Sequence, residues 1–334
     1  MTRRRTTRTF RGTARNLARL ASRLQDGDLV AVPTETVYGL AANALDARAC
    51  ARIFAAKGRP RTDPLIVHLH HVGQLSDVAT PNATALRLAK AFWPGPLTMI
   101  LPKAAIVPEI VTAGGDSVAV RVPAHPLFRR LLAQCRLPLA APSANPFGYV
   151  SPTTAAHVKE GLVGKIGYIL DGGPARIGLE STIVDVRDPR RMRVLRPGAI
   201  TAAQLRHASG CPVQDFTGTT ASSTLAQLAP GQLLQHYSPR AKVVLHEKLP
   251  PPSQLVATTG ANAWLYFRRP AGAKRHPLHW LSADGSQAEA AHALFAKLRE
   301  LDQRKCTAVH VELAPSGPLA IAINDRLRRA AAKG

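Results

Sequence analysis

Several short segments of this chain place cations, hydroxyls and turn residues together as binding of a phosphate-bearing substrate would require. Lys57-Gly58-Arg59-Pro60 is followed closely by Pro64-Leu65-Ile66-Val67-His68. Two cations at a helix end are by themselves ordinary dipole partners facing water. The proline bracket makes the loop stiff, however, and Arg suits bidentate contact with phosphate oxygens. His68, inside an apolar run, reads alone as a core histidine. Ser143-Ala144-Asn145 follows the apolar run 139–141 and Pro142. Turn chemistry explains it as well as ligand binding does, although small polar loops at strand ends are where open α/β sheets receive ligands.

Arg121 and Arg196 each stand in apolar, strand-like segments, 118–122 and 194–196, and Glu180-Ser181 leads into another strand. A strand arginine either faces water or has an anionic partner, because an unpaired buried charge is very costly. Each segment alone has this plain structural reading. Together they point to one site for phosphate and carboxylate. GxxxxGK[ST], GxSxG and HExxH patterns are missing and no covalent nucleophile is evident. Positioning and electrostatic stabilisation are therefore the chemistry to expect.

The elements that must position these residues follow from pattern. Asp46 caps a helix that buries Ile53 and Phe54 and ends at Gly58. Strands are predicted at 28–32, 65–69, 97–101, 118–122, 139–141, 166–170, 182–186 and 192–195, with the loop PTETVYGLAANAL after the first. Helices fit at 82–92, 126–135, 153–160 and 201–209. Many strands with only some alternating helices indicate an α+β twisted open mixed sheet. Residues 211–240 are rich in Thr, Ser, Gln, Gly and Pro, the composition of a linker that buries little. Strands at 242–246, 263–267, 277–281 and 308–313 and helices at 286–302 and 319–330 then give a second, smaller Rossmann-like α/β domain. The division is a basic arm over 1–14, a catalytic domain over 15–210, a linker or lid over 211–240 and a small domain over 241–334.

Composition sets the frame. The chain has 334 residues, 46% of them hydrophobic, enough for two cores, and Lys plus Arg exceed Asp plus Glu by 44 to 21 for a net charge of +23. Such a balance favours polyanionic partners or phosphate-bearing substrates. Arg3, Arg4, Arg5, Arg8, Arg11, Arg15 and Arg19 precede any acidic residue, which suits an arm touching RNA, a solvated tail or a targeting peptide. No run approaches the ~20 apolar residues of a membrane span, and a cytoplasmic location is expected. Cys50, Cys135, Cys211 and Cys306 show no metal-ligand spacing.

PTETVYGLAANAL, KGRP with PLIVH, WPGPLTMIL, SVAVRVP, APSAN, YILDGG, ESTIVD and VLRPG, in this order, resemble the YrdC-like domain of threonylcarbamoyl-AMP synthases. Pro230-Gly231 and His236-Tyr237-Ser238-Pro239 resemble the long form of that family, with a C-terminal α/β domain. The resemblance implies an open twisted sheet around a large electropositive cavity, where L-threonine, bicarbonate and ATP give threonylcarbamoyl-AMP. This product is passed to a tRNA threonylcarbamoyl transferase complex for adenosine 37. The motif match assigns Thr36, His68, Ser143 and Ser181 to threonine. It assigns Lys57, Arg59, Asp63, Ser117, Arg121, Asn145, Ser151, Arg196 and Tyr237 to ATP, with Tyr237 in the lid. Lys57, Arg59 and Arg121 would offset charge on the phosphates, and magnesium would arrive with ATP rather than in a protein metal site.

Three positions depart from the family pattern. Asp63 stands where Asn is common, and a carboxylate there repels phosphate unless it meets magnesium or turns outward. Phe147 replaces a Ser and Gln235 a basic residue, both away from the core motifs. A related carbamoyl-adenylating domain of hydrogenase maturation would bring zinc-finger cysteine pairs, which this chain lacks. The reading from another class is an RNA-binding module with a vestigial cavity, whose binding would weaken steeply with salt and ignore threonine.

Overall fold

Apolar runs punctuated by proline and glycine become the strands of an eleven-stranded mixed sheet. The computed structural model describes residues 6–218, 227–231, 236–255, 262–271 and 278–332. The strands are β1 (Arg8–Arg11), β2 (Val30–Val32), β3 (Gly39–Asn43), β4 (Ile66–His68), β5 (Leu97–Pro102), β6 (Ser117–Arg121), β7 (Leu139–Ala140), β8 (Tyr168–Asp171), β9 (Thr182–Asp185), β10 (Met192–Arg196) and β11 (Val213–Gln214). Their order across the sheet is β1-β8-β2-β3-β7-β4-β6-β5-β9-β10-β11. β4 runs parallel to β6, with His68 beside Arg121, while β5 and β6 are antiparallel. This pairing brings two separate sequence motifs to one place.

Helices cover both faces. α1 (Ala14–Gln25) and α6 (Pro126–Cys135) pack on one side, where Leu17, Leu20 and Leu24 meet Phe128, Leu131 and Leu132. Each such side chain stabilises the fold by roughly 1.5–3 kcal/mol through burial. On the other side lie α2 (Ala47–Lys57), α3 (Leu75–Val78), α4 (Ala83–Phe92), α5 (Glu109–Thr112), α7 (Ala155–Leu162) and α8 (Ala202–Ser209). Ile53, Phe54, Leu88, Val111 and Val158 share the core beneath them. α2 begins where the Asp46 carboxylate accepts the Arg48 and Ala49 N–H groups, and it ends at Gly58 with φ of 65°. Its last residue is Lys57.

A second sheet of four parallel strands, β12 (Lys242–His246), β13 (Asn262–Arg268), β14 (His279–Ser282) and β15 (Ala308–Glu312), has the order β12-β15-β13-β14. With α9 (Gln287–Gln303) and α10 (Ala320–Ala331) it forms the smaller domain. The two parts share a core: Val37, Val150 and Leu179 cluster with Leu294, Phe295 and Leu327. At Gly178, φ is +80° and an added Cβ would stand 2.6 Å from the His292 backbone, so this close approach needs glycine.

Three expectations are corrected. The arm is not a free tail from residue 8 onward, because β1 pairs in parallel with β8 and Ala14 opens α1. Residues 1–5, with Arg3, Arg4 and Arg5, lie outside the described residues. The segment after β2 is not all loop, since Gly39–Asn43 pairs with both β2 and β7. Its glycine and alanines have weak strand preference, and pairing on both sides overrides it. The linker does bury surface: Gln227, Ala229, His236, Tyr237 and Ser238 are all buried. Contact with the large domain replaces the hydrophobic content it lacks. Gln235 lies outside the described residues, and no described helix is long and apolar enough to cross a membrane.

Because α2 carries Lys57 at its far end, its cap matters to the site as well as to stability. Asp46→Ala is expected to lower the unfolding free energy by about 1 kcal/mol, read from urea denaturation.

Candidate active site

A cavity of about 50 Å³ opens between strand ends of the large sheet and the linker. Arg59, Arg121 and Arg196 line it, together with Thr36, His68, Ser143, Glu180, Ser181, Gly231 and Tyr237. Arg59 lies in the proline-bracketed loop after α2. Its Nε donates to the Asp63 carbonyl at 3.0 Å, its Nη2 donates to the Pro64 carbonyl at 2.8 Å, and its guanidinium pairs with the Asp63 carboxylate at 2.9 Å. Arg121 ends β6. It donates to the Gly95 carbonyl, to Thr36 Oγ1 at 3.0 Å and to Glu35 Oε1 at 2.6 Å. Arg196 ends β10 and donates to the carbonyl and hydroxyl of Ser181, each at 3.0 Å. All three side chains are buried. Each therefore needs these oxygens, since an uncompensated guanidinium would not remain inside.

Charge is apportioned by environment. Burial lifts the Glu35 carboxyl, but the neighbouring Arg121, by charge and hydrogen bond, more than offsets this and holds it below its usual value. Burial, reinforced by Arg121, pushes His68 down to about 3. His68 is thus neutral at pH 7, and its Nδ1 lies 3.1 Å from the Ile66 carbonyl. Burial also drives Lys57 well below the usual lysine value, with Arg59 adding to the shift.

The hydroxyls sit among the cations. Thr36 contacts the Thr34 hydroxyl at 2.8 Å, and Ser181 contacts Thr98 at 2.7 Å. Ser143 lies across from Gly39, held by an isolated bridge. Thr34, Thr36, Ser143 and Ser181 line the cavity.

Other assigned residues stand behind this wall rather than on it. The Lys57 ammonium donates to the Ser143 carbonyl and, at 2.6 Å, to the Asn145 carbonyl, so it holds the 143–145 loop. Asn145 uses its amide on the Pro146 and Tyr149 carbonyls. Ser151 donates to Glu180 Oε1 at 2.5 Å. Ser117 is at the opposite end of β6 from Arg121, roughly 13 Å along the strand. Tyr237, by contrast, is on the wall; it is buried, has φ of 62° and packs beside Phe295. Of the four cations expected to converge, three line the cavity and the fourth braces it.

The departures come out differently from their sequence reading. Asp63 does not turn outward; it is 0% exposed and paired with Arg59. Phe147 is not remote either, since Arg59 lies 6.0 Å over its ring and His236 meets it edge-on at 5.8 Å. The cavity is smaller than the expected large one because Pro230, Gly231, His236 and Tyr237 occupy its open side. Sequence reading missed Glu35, Glu180 and Thr34. The need of Arg121 and Arg196 for buried partners was legible, but not which residues supply them. Arg326 of α10, which contacts Glu180, had no local signal at all.

Known proteins resemble this chain over most of its length. The Sua5/YciO/YrdC family model, described as telomere recombination, matches residues 22–198, and the model for the threonylcarbamoyl-AMP synthase C-terminal domain matches 200–332. A threonylcarbamoyl-AMP synthase of Pyrococcus abyssi is 40% identical over 92% of this chain and 91% of its own. One from Bacillus subtilis is 38% identical over 94% and 92%. The crystal structure of P. abyssi Sua5 complexed with L-threonine superposes with a TM-score of 0.86 at 37% identity, covering 97% of this chain and 96% of that one.

A neutral buried His68 makes stability depend on pH. Its folded pKa of about 3 lies below the unfolded value near 6.5, so the unfolded chain binds the extra proton. The associated stability is complete above pH 6.5 and declines as pH falls toward 3. His68→Asn is expected to shrink the difference in unfolding free energy between pH 7 and pH 5 by about 2 kcal/mol, measured by denaturant titration at both.

Proposed function

The chain belongs to the threonylcarbamoyl-AMP synthase family, and from that premise we propose that its cavity condenses L-threonine, bicarbonate and ATP into threonylcarbamoyl-AMP and pyrophosphate. The observation that carries this is the convergence of Arg59, Arg121 and Arg196 with the Thr36, Ser143 and Ser181 hydroxyls on one buried site. Guanidiniums suit phosphates and carboxylates, and hydroxyls suit an amino acid.

The reaction has two bond-forming steps. The neutral threonine amine attacks the bicarbonate carbon, the C–O bond to the bicarbonate hydroxyl breaks, that hydroxyl leaves as water carrying one amine proton, and an N-carboxylate remains. One of its oxygens then attacks the α-phosphorus of ATP in line, and the bond to pyrophosphate breaks with its electron pair on pyrophosphate. Thr36, Ser143 and Ser181 would orient threonine, with His68 offering neutral hydrogen bonding only. Arg59, Arg121 and Arg196 would hold carboxylate and phosphate oxygens as charge shifts onto pyrophosphate. Lys57 would act alongside by holding the 143–145 loop, while Asn145, Ser151 and Ser117 would serve the nucleotide end. Asp63 and Glu35 partner Arg59 and Arg121.

Magnesium would enter as part of the ATP substrate. Among the described residues no three His, Cys, Asp or Glu side chains group to hold a metal, so phosphate oxygens and water would supply most of its ligands. Asp63 is buried against Arg59 and does not line the cavity, whereas the Glu180 carboxylate does. The linker would serve as a lid. A space of about 50 Å³ is far below the roughly 300–1,000 Å³ of sites for molecules of nucleotide size. Pro230-Gly231 and His236-Tyr237 would withdraw to admit ATP, after which Tyr237 would cover it.

The product would pass to a tRNA threonylcarbamoyl transferase complex in the cytoplasm. Exposed Arg8, Arg11, Arg15 and Arg19 offer direct contact with tRNA phosphates.

Purified protein with ATP, magnesium and bicarbonate should release pyrophosphate only when L-threonine is present, with threonylcarbamoyl-AMP identified by mass spectrometry. Arg59→Ala should reduce that rate by at least about 100-fold. Release indifferent to threonine would sink the reading, as would a folded, inactive protein that binds RNA alone.

A further inference from the structure

Arg326 is a charged side chain placed where no charge would be expected. It sits on α10 of the small domain, is 0% exposed, and makes four directed contacts. Its Nε donates to Glu180 Oε2 at 2.8 Å, its Nη1 to Asp325 Oδ2 at 2.7 Å and its Nη2 to the Pro197 carbonyl at 2.9 Å. Its guanidinium carbon lies 5.3 Å over the Tyr237 ring. Asp325 is in turn held by Arg329 Nε at 3.0 Å.

What these contacts reach matters more than their number. Glu180 and Tyr237 line the cavity. The other oxygen of Glu180 accepts the Ser151 hydroxyl, and Pro197 directly follows Arg196. One guanidinium from the small domain thus touches a carboxylate, a loop carbonyl and an aromatic ring that border a site built by the large domain. By contrast Arg299 of α9, also buried at the domain junction, donates to the Val150 carbonyl at 2.6 Å and touches nothing that lines the cavity. Docking the two domains therefore does not require a cation at position 326 aimed at the site.

We infer that Arg326 is a positioning residue for adenylation: without touching substrate, it holds Glu180 and the backbone beside Arg196 in place and stacks on the Tyr237 ring where the linker closes over the site. The small domain is then a working part of the nucleotide site. This rests on the synthase reading above. The planar fork of arginine matters because three acceptors lie in three directions, whereas lysine offers a point charge that can satisfy the carboxylate but not hold all three or stack on the ring.

The test compares wild type, Arg326→Lys and Arg326→Gln as full-length proteins. Dissociation constants for ATP and for L-threonine are measured separately by calorimetry, beside kcat and the midpoint of thermal unfolding. Arg326→Lys is expected to fold and to weaken ATP binding by about tenfold or more, with threonine affinity within about twofold of wild type. Arg326→Gln should weaken ATP further. If Arg326→Gln does not fold, Arg326→Lys carries the test, and Glu180→Gln in the background of intact Arg326 should produce the same ATP-selective loss.

A folded variant with a lowered melting point but unchanged ATP affinity would make Arg326 a structural strut and overturn the inference. Equal losses for ATP and threonine would overturn it too, since the effect would then be general collapse of the cavity. Wild-type protein without threonine-dependent pyrophosphate release would instead refute the synthase reading itself.

Discussion

Three guanidinium groups turned inward on one small cavity are the constraint around which the rest of this structure is arranged. Each must be surrounded by oxygens, because a buried cation without partners would not remain folded inside. The chain meets that demand loop by loop. Asp63 and the Pro64 carbonyl take Arg59, Glu35 and Thr36 take Arg121, and Ser181 takes Arg196. The same contacts fix the loops, so electrostatic satisfaction and preorganisation of the site are one set of interactions. Donors held in place before any substrate arrives are the condition under which such groups stabilise a developing charge best.

The linker and the small domain extend this logic. A segment poor in apolar residues still becomes buried, because His236 and Tyr237 find aromatic neighbours in Phe147 and Phe295. Phe295 belongs to α9, and Arg326 of α10 lies over the Tyr237 ring. The linker is thus held by the large domain on one side and the small domain on the other.

Charge in the cavity is also graded by neighbours rather than by residue type. Burial works against charge on two basic groups: it pushes His68 down to about 3 and Lys57 well below its usual range. The arginines, paired and intrinsically far more basic, keep theirs. The cavity accordingly offers hydroxyls and a neutral imidazole, while fixed positive charge comes from the guanidiniums.

How much of this was legible beforehand can be judged residue by residue. The sequence alone determined the helix from Asp46 to Gly58, since a capping carboxylate, a buried face and a left-handed stop are local features. It determined the mixed sheet with a second α/β unit and, through ordered motifs, the family and some of the residues that line the cavity, among them Thr36, Arg59, His68 and Arg121. Tertiary structure decided what no local pattern encodes. β3 forms from glycine and alanines because two partners pair with it, and β1 forms because β8 is there to receive it. Lys57 turns to the Ser143 and Asn145 carbonyls, Phe147 packs against Arg59, and Glu35 rather than another acid answers Arg121. Arg326 is the clearest case. It is one arginine among many on an amphipathic helix, and its meaning lies in Glu180, 146 positions earlier, because burial of charge is settled by the neighbours that folding brings and not by those along the chain.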